Sequence, residues 1–207
     1  MNRILNELFS AYPVLEVCRD DIENAYEQLS ATYSAGGKVL LCGNGGSAAD
    51  CEHITGELMK GFNKKRPLSE DEKEKFLSLP DGELISSRLQ GTLRAVSLVS
   101  QSALMTAFIN DVDSELVFAQ QVWGYADKGD TLIALSTSGN SRNVVLAAET
   151  AHARGAGVLS ITGEGGGRLK MLSDCTVALP AKETYAVQEL TLPVYHALCA
   201  ALEEYYF

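Results

Sequence analysis

The sequence predicts an α/β protein: a doubly wound, five-stranded parallel sheet with additional helices at the N-terminal end. Three observations carry this. Short apolar runs alternate with helix-period stretches from about residue 38 to the C-terminus. The runs lack polar alternation, which marks strands buried on both faces and therefore a parallel sheet covered by helices. The 207 residues, 46% hydrophobic and 21% charged, suit one domain with a substantial core and are short for two.

Residues 1–36 read as helix. Leu5, Phe9, Leu15, Ile22, Tyr26, Leu29 and Tyr33 recur at three-to-four spacing, Pro13 breaks the run, and Gly36-Gly37 stops it. The apolar run 38–43 reads as a buried strand ending in glycine, and a helix follows over about 47–60. Strands are then expected at 93–99, 131–135, 157–162 and 175–179. Helices are expected at 101–110, 114–127 and 141–154, with a closing helix over 185–204. The polar, mostly acidic segment 68–91 does not fit this alternation and reads as a surface insertion in a single domain spanning 1–207. In it, Ser69-Glu-Asp-Glu72 is a capping box that predicts a short helix to Phe76 or Leu77. Pro80-Asp81-Gly82 predicts a turn.

Composition removes several function classes. Seventeen Lys and Arg against 27 Asp and Glu leave a net charge of -10, which disfavours a nucleic-acid partner. The basic run Lys64-Lys65-Arg66 reads as a solvated loop. The five cysteines are odd in number and show no C-x-x-C spacing, which points to reduced core thiols and a cytoplasmic location. Asn6, Glu7 and Pro13 interrupt the N-terminal apolar residues, so no secretory signal is expected. The longest uncharged stretch, 95–110, is too short and too polar to span a bilayer.

In an open α/β sheet, ligands bind beyond the C-terminal strand ends. Two strand ends carry small, hydroxyl-rich turns that open helices: Asn44, Gly45, Gly46 and Ser47 after the first strand, and Ser136, Thr137, Ser138 and Ser141 after the third. Backbone amides, helix N-termini and hydroxyls converging in this way make a neutral phosphate cradle. Gly43, Gly45 and Ala48 also fit a dinucleotide fingerprint, but Phe62-Asn-Lys-Lys65 stands where its acidic partner and strand belong. No P-loop lysine is present, and Gly45-Gly-Ser-Ala-Ala49 only loosely mimics a nucleophile elbow, with no late-loop histidine to serve it.

Of the three histidines, His152 sits near a helix C-terminus, where it complements the helix dipole. His53 and Glu57 stand at i,i+4 on the helix opened by the first loop, so they share one face. Gln188 and His196 lie eight residues apart on the last helix, about 12 Å on a straight helix. One metal ion reaches both only if Pro193 kinks the helix, if Gln188 lies in its first turn, or if the two come from different subunits.

Taken together, Cys42-Gly-Asn-Gly-Gly-Ser-Ala-Ala-Asp50, His53-x-x-x-Glu57-Leu58, Ser136-Thr-Ser-Gly-Asn-Ser141 and Gln188-Glu189 with His196 resemble the sugar isomerase (SIS) domain family over nearly the whole chain. Within that family they look like the aldose–ketose isomerases of seven-carbon sugar phosphates. The resemblance implies a homotetramer with active sites at subunit interfaces. It implies a sugar phosphate held by Ser47, Ser136, Thr137, Ser138 and Ser141, with Gly45 and Gly46 beside it, and a sugar site lined by Asn44, Asn110 and Asp111. It implies zinc held by His53, Glu57, Gln188 and His196, with Glu57 and His196 as base and acid. The implied reaction converts sedoheptulose 7-phosphate to D-glycero-manno-heptose 7-phosphate through an enediol. Departures are Gly61 where an Arg is common, Tyr185 where some members carry Asp, Pro193 inside the last helix, and the insertion. Non-catalytic SIS proteins, which bind a replication initiator or sense phosphosugars, form the rival class. The initiator-binding relative lacks the late-helix histidine that this chain has in His196, and no helix-turn-helix segment is evident for a regulator.

Overall fold

The computed structural model describes residues 2–207 and holds one five-stranded, all-parallel sheet of order β2-β1-β3-β4-β5. The strands are β1 (Val39–Cys42), β2 (Ala95–Ser97), β3 (Thr131–Ser136), β4 (Gly157–Thr162) and β5 (Cys175–Ala178). In register, Leu40 sits opposite Val96 on one side and Leu132 on the other. Every residue of β1 and β3 is buried, as the absence of polar alternation requires.

Helices cover both faces. On one lie α1 (Arg3–Ala11), α2 (Arg19–Ser34), α3 (Gly46–Met59) and α9 (Thr184–Tyr206). Val39, Leu41, Ile133 and Leu159 point into that layer, against Leu5, Ile22, Ile54 and Leu198. On the other face lie α7 (Val117–Tyr125) and α8 (Arg142–Ala153), against Leu40, Cys42, Leu132 and Val158. Successive side chains of β1 thus enter opposite cores, the period of two that a strand imposes. Pro13 ends α1 as expected, but the following residues, Pro13–Cys18, wind into a 3-10 turn that leads into α2. The predicted helix at 114–127 is a 3-10 turn at Ser114–Leu116 followed by α7. α6 (Ser102–Asp111) follows β2.

The segment 68–91 lies outside the sheet. The capping box is present: Glu72 N donates to Ser69 Oγ at 3.3 Å and Ser69 N donates to Glu72 Oε2 at 2.9 Å. Its helix α4 (Glu70–Glu74) stops sooner than the sequence predicts. A second helix, α5 (Gly82–Arg88), begins at the Pro80-Asp81-Gly82 turn and carries no periodic apolar signal that could have announced it. A bridge between Pro67 and Gln90, and Gly91 N donating to Arg66 O at 2.7 Å, pinch the segment's two ends together. Replacing residues 69–88 with a short linker should therefore leave the fold intact, because loop closure changes little with length. Circular dichroism and the thermal midpoint of the shortened chain check this; an unfolded product would show that α4 and α5 fill core.

The run Lys64-Lys65-Arg66 is not a solvated loop throughout. Arg66 is only 1% exposed. Its Nε donates to Glu203 Oε1 at 2.8 Å, while its two terminal nitrogens donate to the Leu58 and Glu57 carbonyls at 2.7 and 3.0 Å. Glu203 also accepts from the amides of Phe62, Asn63 and Lys64. Burial alone would raise the Glu203 carboxyl, but the amides of Phe62 and Asn63 and the Arg66 guanidinium hold it below its usual range. Arg66 thus satisfies carbonyls at the C-terminal end of α3 that the helix itself leaves open.

Candidate active site

The strand order reverses between β1 and β3, and the crevice beyond their C-terminal ends is the expected ligand position. After β1 the backbone turns through Gly45, at φ +57°, straight into α3. That conformation favours glycine. Gly46 lies directly against Gln188: a Cβ there would make the Gln188 side-chain amide move aside. After β3 the chain turns through Gly139, at φ +66°, whose Cβ would collide with the Gly166 carbonyl of the loop after β4.

These turns enclose a cavity of about 300 Å³. Asn44, Gly45, Gly46 and Ser47 line it from one loop, Ser136, Thr137 and Ser141 from the other, and Thr184 and Gln188 from the start of α9. Ser136 Oγ donates to Ser141 Oγ at 3.0 Å, so the two hydroxyls form one polar wall. The N-termini of α3 and α8 both open here, and no Lys or Arg lines the cavity. An anion placed here would be met by amide and hydroxyl donors and by two helix dipoles.

Three residues expected in this site stand elsewhere. Ser138 is exposed and does not line the cavity; its Oγ accepts from Asn140 N at 3.1 Å and its carbonyl accepts from Asn140 Nδ2 at 2.8 Å. Ser138 thus shapes the turn instead of facing the cavity. Asn110 and Asp111, at the exposed end of α6, bond to each other at 2.7 Å and do not line this cavity. Asn44 reaches the cavity and exchanges two 2.9 Å bonds with Asn143. Ser47→Ala should raise the Michaelis constant for a phosphorylated substrate by roughly 10- to 100-fold, the loss of one hydrogen bond to a charged group. Ser138→Ala should leave it within about twofold, because Ser138 does not line the cavity. Steady-state kinetics of the two variants side by side check both.

His53, Glu57 and His196 form a second cluster. His53 Nε2 lies 3.2 Å from Glu57 Oε1 and 3.5 Å from His196 Nε2. Glu57 is largely buried, and its second carboxylate oxygen has no hydrogen-bond partner, only Lys60 Nζ at 3.7 Å. Burial lowers the His196 imidazole, and neighbouring His53 adds to this, against a smaller raising effect of Glu57. Tyr195, 2% exposed, places its hydroxyl 2.9 Å from His53 Nδ1 and 3.3 Å from Asp50 Oδ1. Burial, and then Asp50, push that hydroxyl well above its ordinary range. Tyr195 does not stand out in the sequence, and Asp50 enters there only as the end of the first motif. Asp50 is three residues before His53, a spacing that could have found it; Tyr195 is hidden in the apolar run of α9.

Among the described residues, no three His, Cys, Asp or Glu side chains are grouped as a ready-made metal centre. Two imidazoles and a carboxylate are nevertheless donors of the kind zinc accepts, and the buried Glu57 oxygen is an acceptor without a donor. Gln188 does not join them. α9 is one uninterrupted helix through Pro193, which leaves Gln188 beside Gly46 and His196 beside His53, about 12 Å apart along the axis.

The sheet order, the two hydroxyl turns and the imidazole–carboxylate cluster define a phosphosugar-type SIS domain. Residues 91–202 match the SIS domain, and residues 10–76 match a second SIS domain description. The chain belongs to the SIS domain family, on its isomerase side. It is 41% identical over 167 residues to a phosphoheptose isomerase of Nitratiruptor sp., covering 81% of this chain and 76% of that one. It is 38% identical over 192 residues to a phosphoheptose isomerase of Laribacter hongkongensis, covering 91% and 86%. The solved phosphoheptose isomerase of Neisseria gonorrhoeae superposes with a TM-score of 0.76 at 30% identity, covering 96% of this chain and 94% of that one. The protein is an isomerase of this family, with the fold that its sequence predicts.

Proposed function

We propose that the enzyme interconverts sedoheptulose 7-phosphate and D-glycero-manno-heptose 7-phosphate through an enediol. The observation that carries this reading is the pairing of a cation-free hydroxyl cavity with a His53–Glu57–His196 cluster on the same two helices. The names of the relatives supply the seven-carbon sugar. Ser47, Ser136, Thr137 and Ser141 bind the phosphate together with the N-termini of α3 and α8. Glu57 takes the proton from the carbon beside the carbonyl and returns it at the neighbouring carbon. His196 carries the hydroxyl proton between the two oxygens. His53, Glu57 and His196 would hold a zinc ion, which supplies Lewis-acid polarisation of the sugar oxygens. Incubating the enzyme with ketose phosphates of five to seven carbons, and reading product stereochemistry by NMR, tests the reading. Turnover of only a shorter sugar would refute the substrate, and turnover of none would refute the reaction.

The separation of about 12 Å that eight helical residues put between Gln188 and His196 suits a homotetramer whose sites are completed by a neighbouring subunit. Exposed Leu77, Leu79, Leu84 and Leu89 around α4 and α5 add apolar surface that association would cover. The five unpaired thiols suit a reducing cytoplasm. Among the described residues, no helix is long and apolar enough to cross a membrane. If sites are shared, Gln188→Ala and His196→Ala chains, each inactive alone, regain activity when co-assembled. Absence of any recovery in verified mixed oligomers would place each site within one chain.

A further inference from the structure

We propose that Asn143 is a positioning residue: it clasps Asn44 across the two turns that form the hydroxyl cavity and holds the Asn44 carboxamide in place, with one N–H left for the ligand. The inference rests on the reading of this cavity as the phosphate site.

Asn44 lies in the turn after β1, and Asn143 in the first turn of α8, after β3. Ninety-nine residues separate them. Their carboxamides meet in a closed ring: Asn44 Nδ2 donates to Asn143 Oδ1, and Asn143 Nδ2 donates to Asn44 Oδ1, both at 2.9 Å. A third contact fixes which way round the ring sits. Asn143 Oδ1 also accepts from Val144 N at 3.0 Å, and a backbone amide can only donate. A flipped Asn143 would therefore set donor against donor at Val144. With Asn143 fixed, a flipped Asn44 would set nitrogen against nitrogen and oxygen against oxygen within the ring.

A carboxamide nitrogen carries two hydrogens. The ring uses one of those on Asn44 and leaves the other for an acceptor, and Asn44 lines the cavity beside Ser47 and Ser141. A phosphate or sugar oxygen is the acceptor that a ligand here would bring. Asn44 also has somewhere else to go. Together with Ser141 it lines a neighbouring cleft of about 470 Å³, walled by Met105, Ile109 and Phe118. Without Asn143, the Asn44 side chain is free to turn toward that cleft, and a ligand would have to order it again. Holding it beforehand removes that cost from binding. The same ring ties the turn that carries Ser47 to the helix that Ser141 opens, so the two walls of the cavity keep their spacing.

The experiment uses the full-length protein labelled with 15N-asparagine, and inorganic phosphate as the probe. The Asn44 side-chain amide signals, assigned by their loss in Asn44→Ala, should exchange with water more slowly in the wild type than in Asn143→Ala. Asn143→Ala should weaken phosphate binding about 3- to 10-fold, the worth of an uncharged hydrogen bond. Asn44→Ala should weaken it at least as much, and the double variant no further, because Asn143 acts only through Asn44. With sugar phosphate, the Michaelis constant of Asn143→Ala should rise by the same factor while turnover stays within about twofold. Should Asn143→Ala fail to fold, Asn143→Ser, whose hydroxyl is too short to reach Asn44, takes its place. Effects that add in full in the double variant would make Asn143 a direct ligand and overturn the positioning role. Unchanged phosphate affinity, or equal Asn44 exchange in wild type and variant, would overturn it too. A wild type that binds no phosphate fells the reading of the cavity and the proposal with it. A wild type that binds phosphate with the expected coupling and converts no ketose phosphate supports the clasp and sinks only the isomerase reading.

Discussion

Glu57→Gln is expected to lower turnover by at least about 10²-fold, the low end of what general acid–base catalysis contributes. The amide keeps the shape of the side chain and cannot accept a carbon-bound proton. The carboxylate is also well placed to work as a base: largely buried, one turn from His53, and with one oxygen lacking any hydrogen-bond partner. Sugar phosphate should still bind, because the hydroxyl cavity is built by other residues. Zinc content must be measured on the same variant, since Glu57 is also a candidate ligand. Proton exchange separates the two roles. Wild-type enzyme in heavy water should label the enediol carbons, and the variant with metal retained should not. Labelling at the wild-type rate would falsify Glu57 as the base.

Arg66→Met should destabilise the fold by about 3–5 kcal/mol, the cost of removing one partner of a buried ion pair. For a chain of this size that corresponds to a fall in thermal midpoint of roughly 6–20 °C. The loss is large because Glu203 would remain buried beside the vacated position, and the Leu58 and Glu57 carbonyls at the end of α3 would each lose a hydrogen bond, Leu58 keeping the one from Leu93 N. Lys65→Met, at the exposed neighbouring position, should shift stability by no more than about 0.5 kcal/mol. The pair has a pH signature. The folded Glu203 carboxyl lies below its usual range, so it contributes stability above the ordinary carboxylate pKa, and this is lost as pH falls through the folded value. Arg66→Met should flatten the acid side of the stability profile. Calorimetry across pH 3–7 on the two variants checks both expectations; equal midpoints would remove Arg66 from the structural frame.

The elements that could be read from the sequence were those whose signal is local. β4 at 157–162 matches its expected bounds, and β1, β3 and α8 fall within a residue or two of theirs, because apolar runs and glycine stops mark them directly. α5 has no such signal: its one leucine, Leu84, is exposed and its start coincides with a turn. Arg66 was misread because a basic run is ordinarily solvated, and only the fold brings Glu203 to it from 137 residues away. The same distinction runs through the site. The turns at 44–47 and 136–141 announce themselves by composition, and the i,i+4 pair His53/Glu57 by helical period. Ser138 shares the composition of its neighbours but faces Asn140, which composition cannot report. The separation of Gln188 from His196 depended on whether Pro193 bends α9, and sequence spacing left that open.

The arrangement of the thiols has a practical consequence. None of the five cysteines is paired; four are buried and Cys175 is half-buried. Burial pushes Cys42 and Cys199 up to about 12, Cys18 and Cys175 up to about 11, and Cys51 well above its ordinary value. Nucleophilic attack by sulfur requires the thiolate, which is scarce at neutral pH for every one of them. With burial added to this, the native chain should react only slowly with maleimides and mild oxidants, which thiol titration of the folded protein checks. A single cysteine introduced on the exposed loop at 69–88 would be the preferred attachment point for a dye or spin label, with no native thiol to remove first.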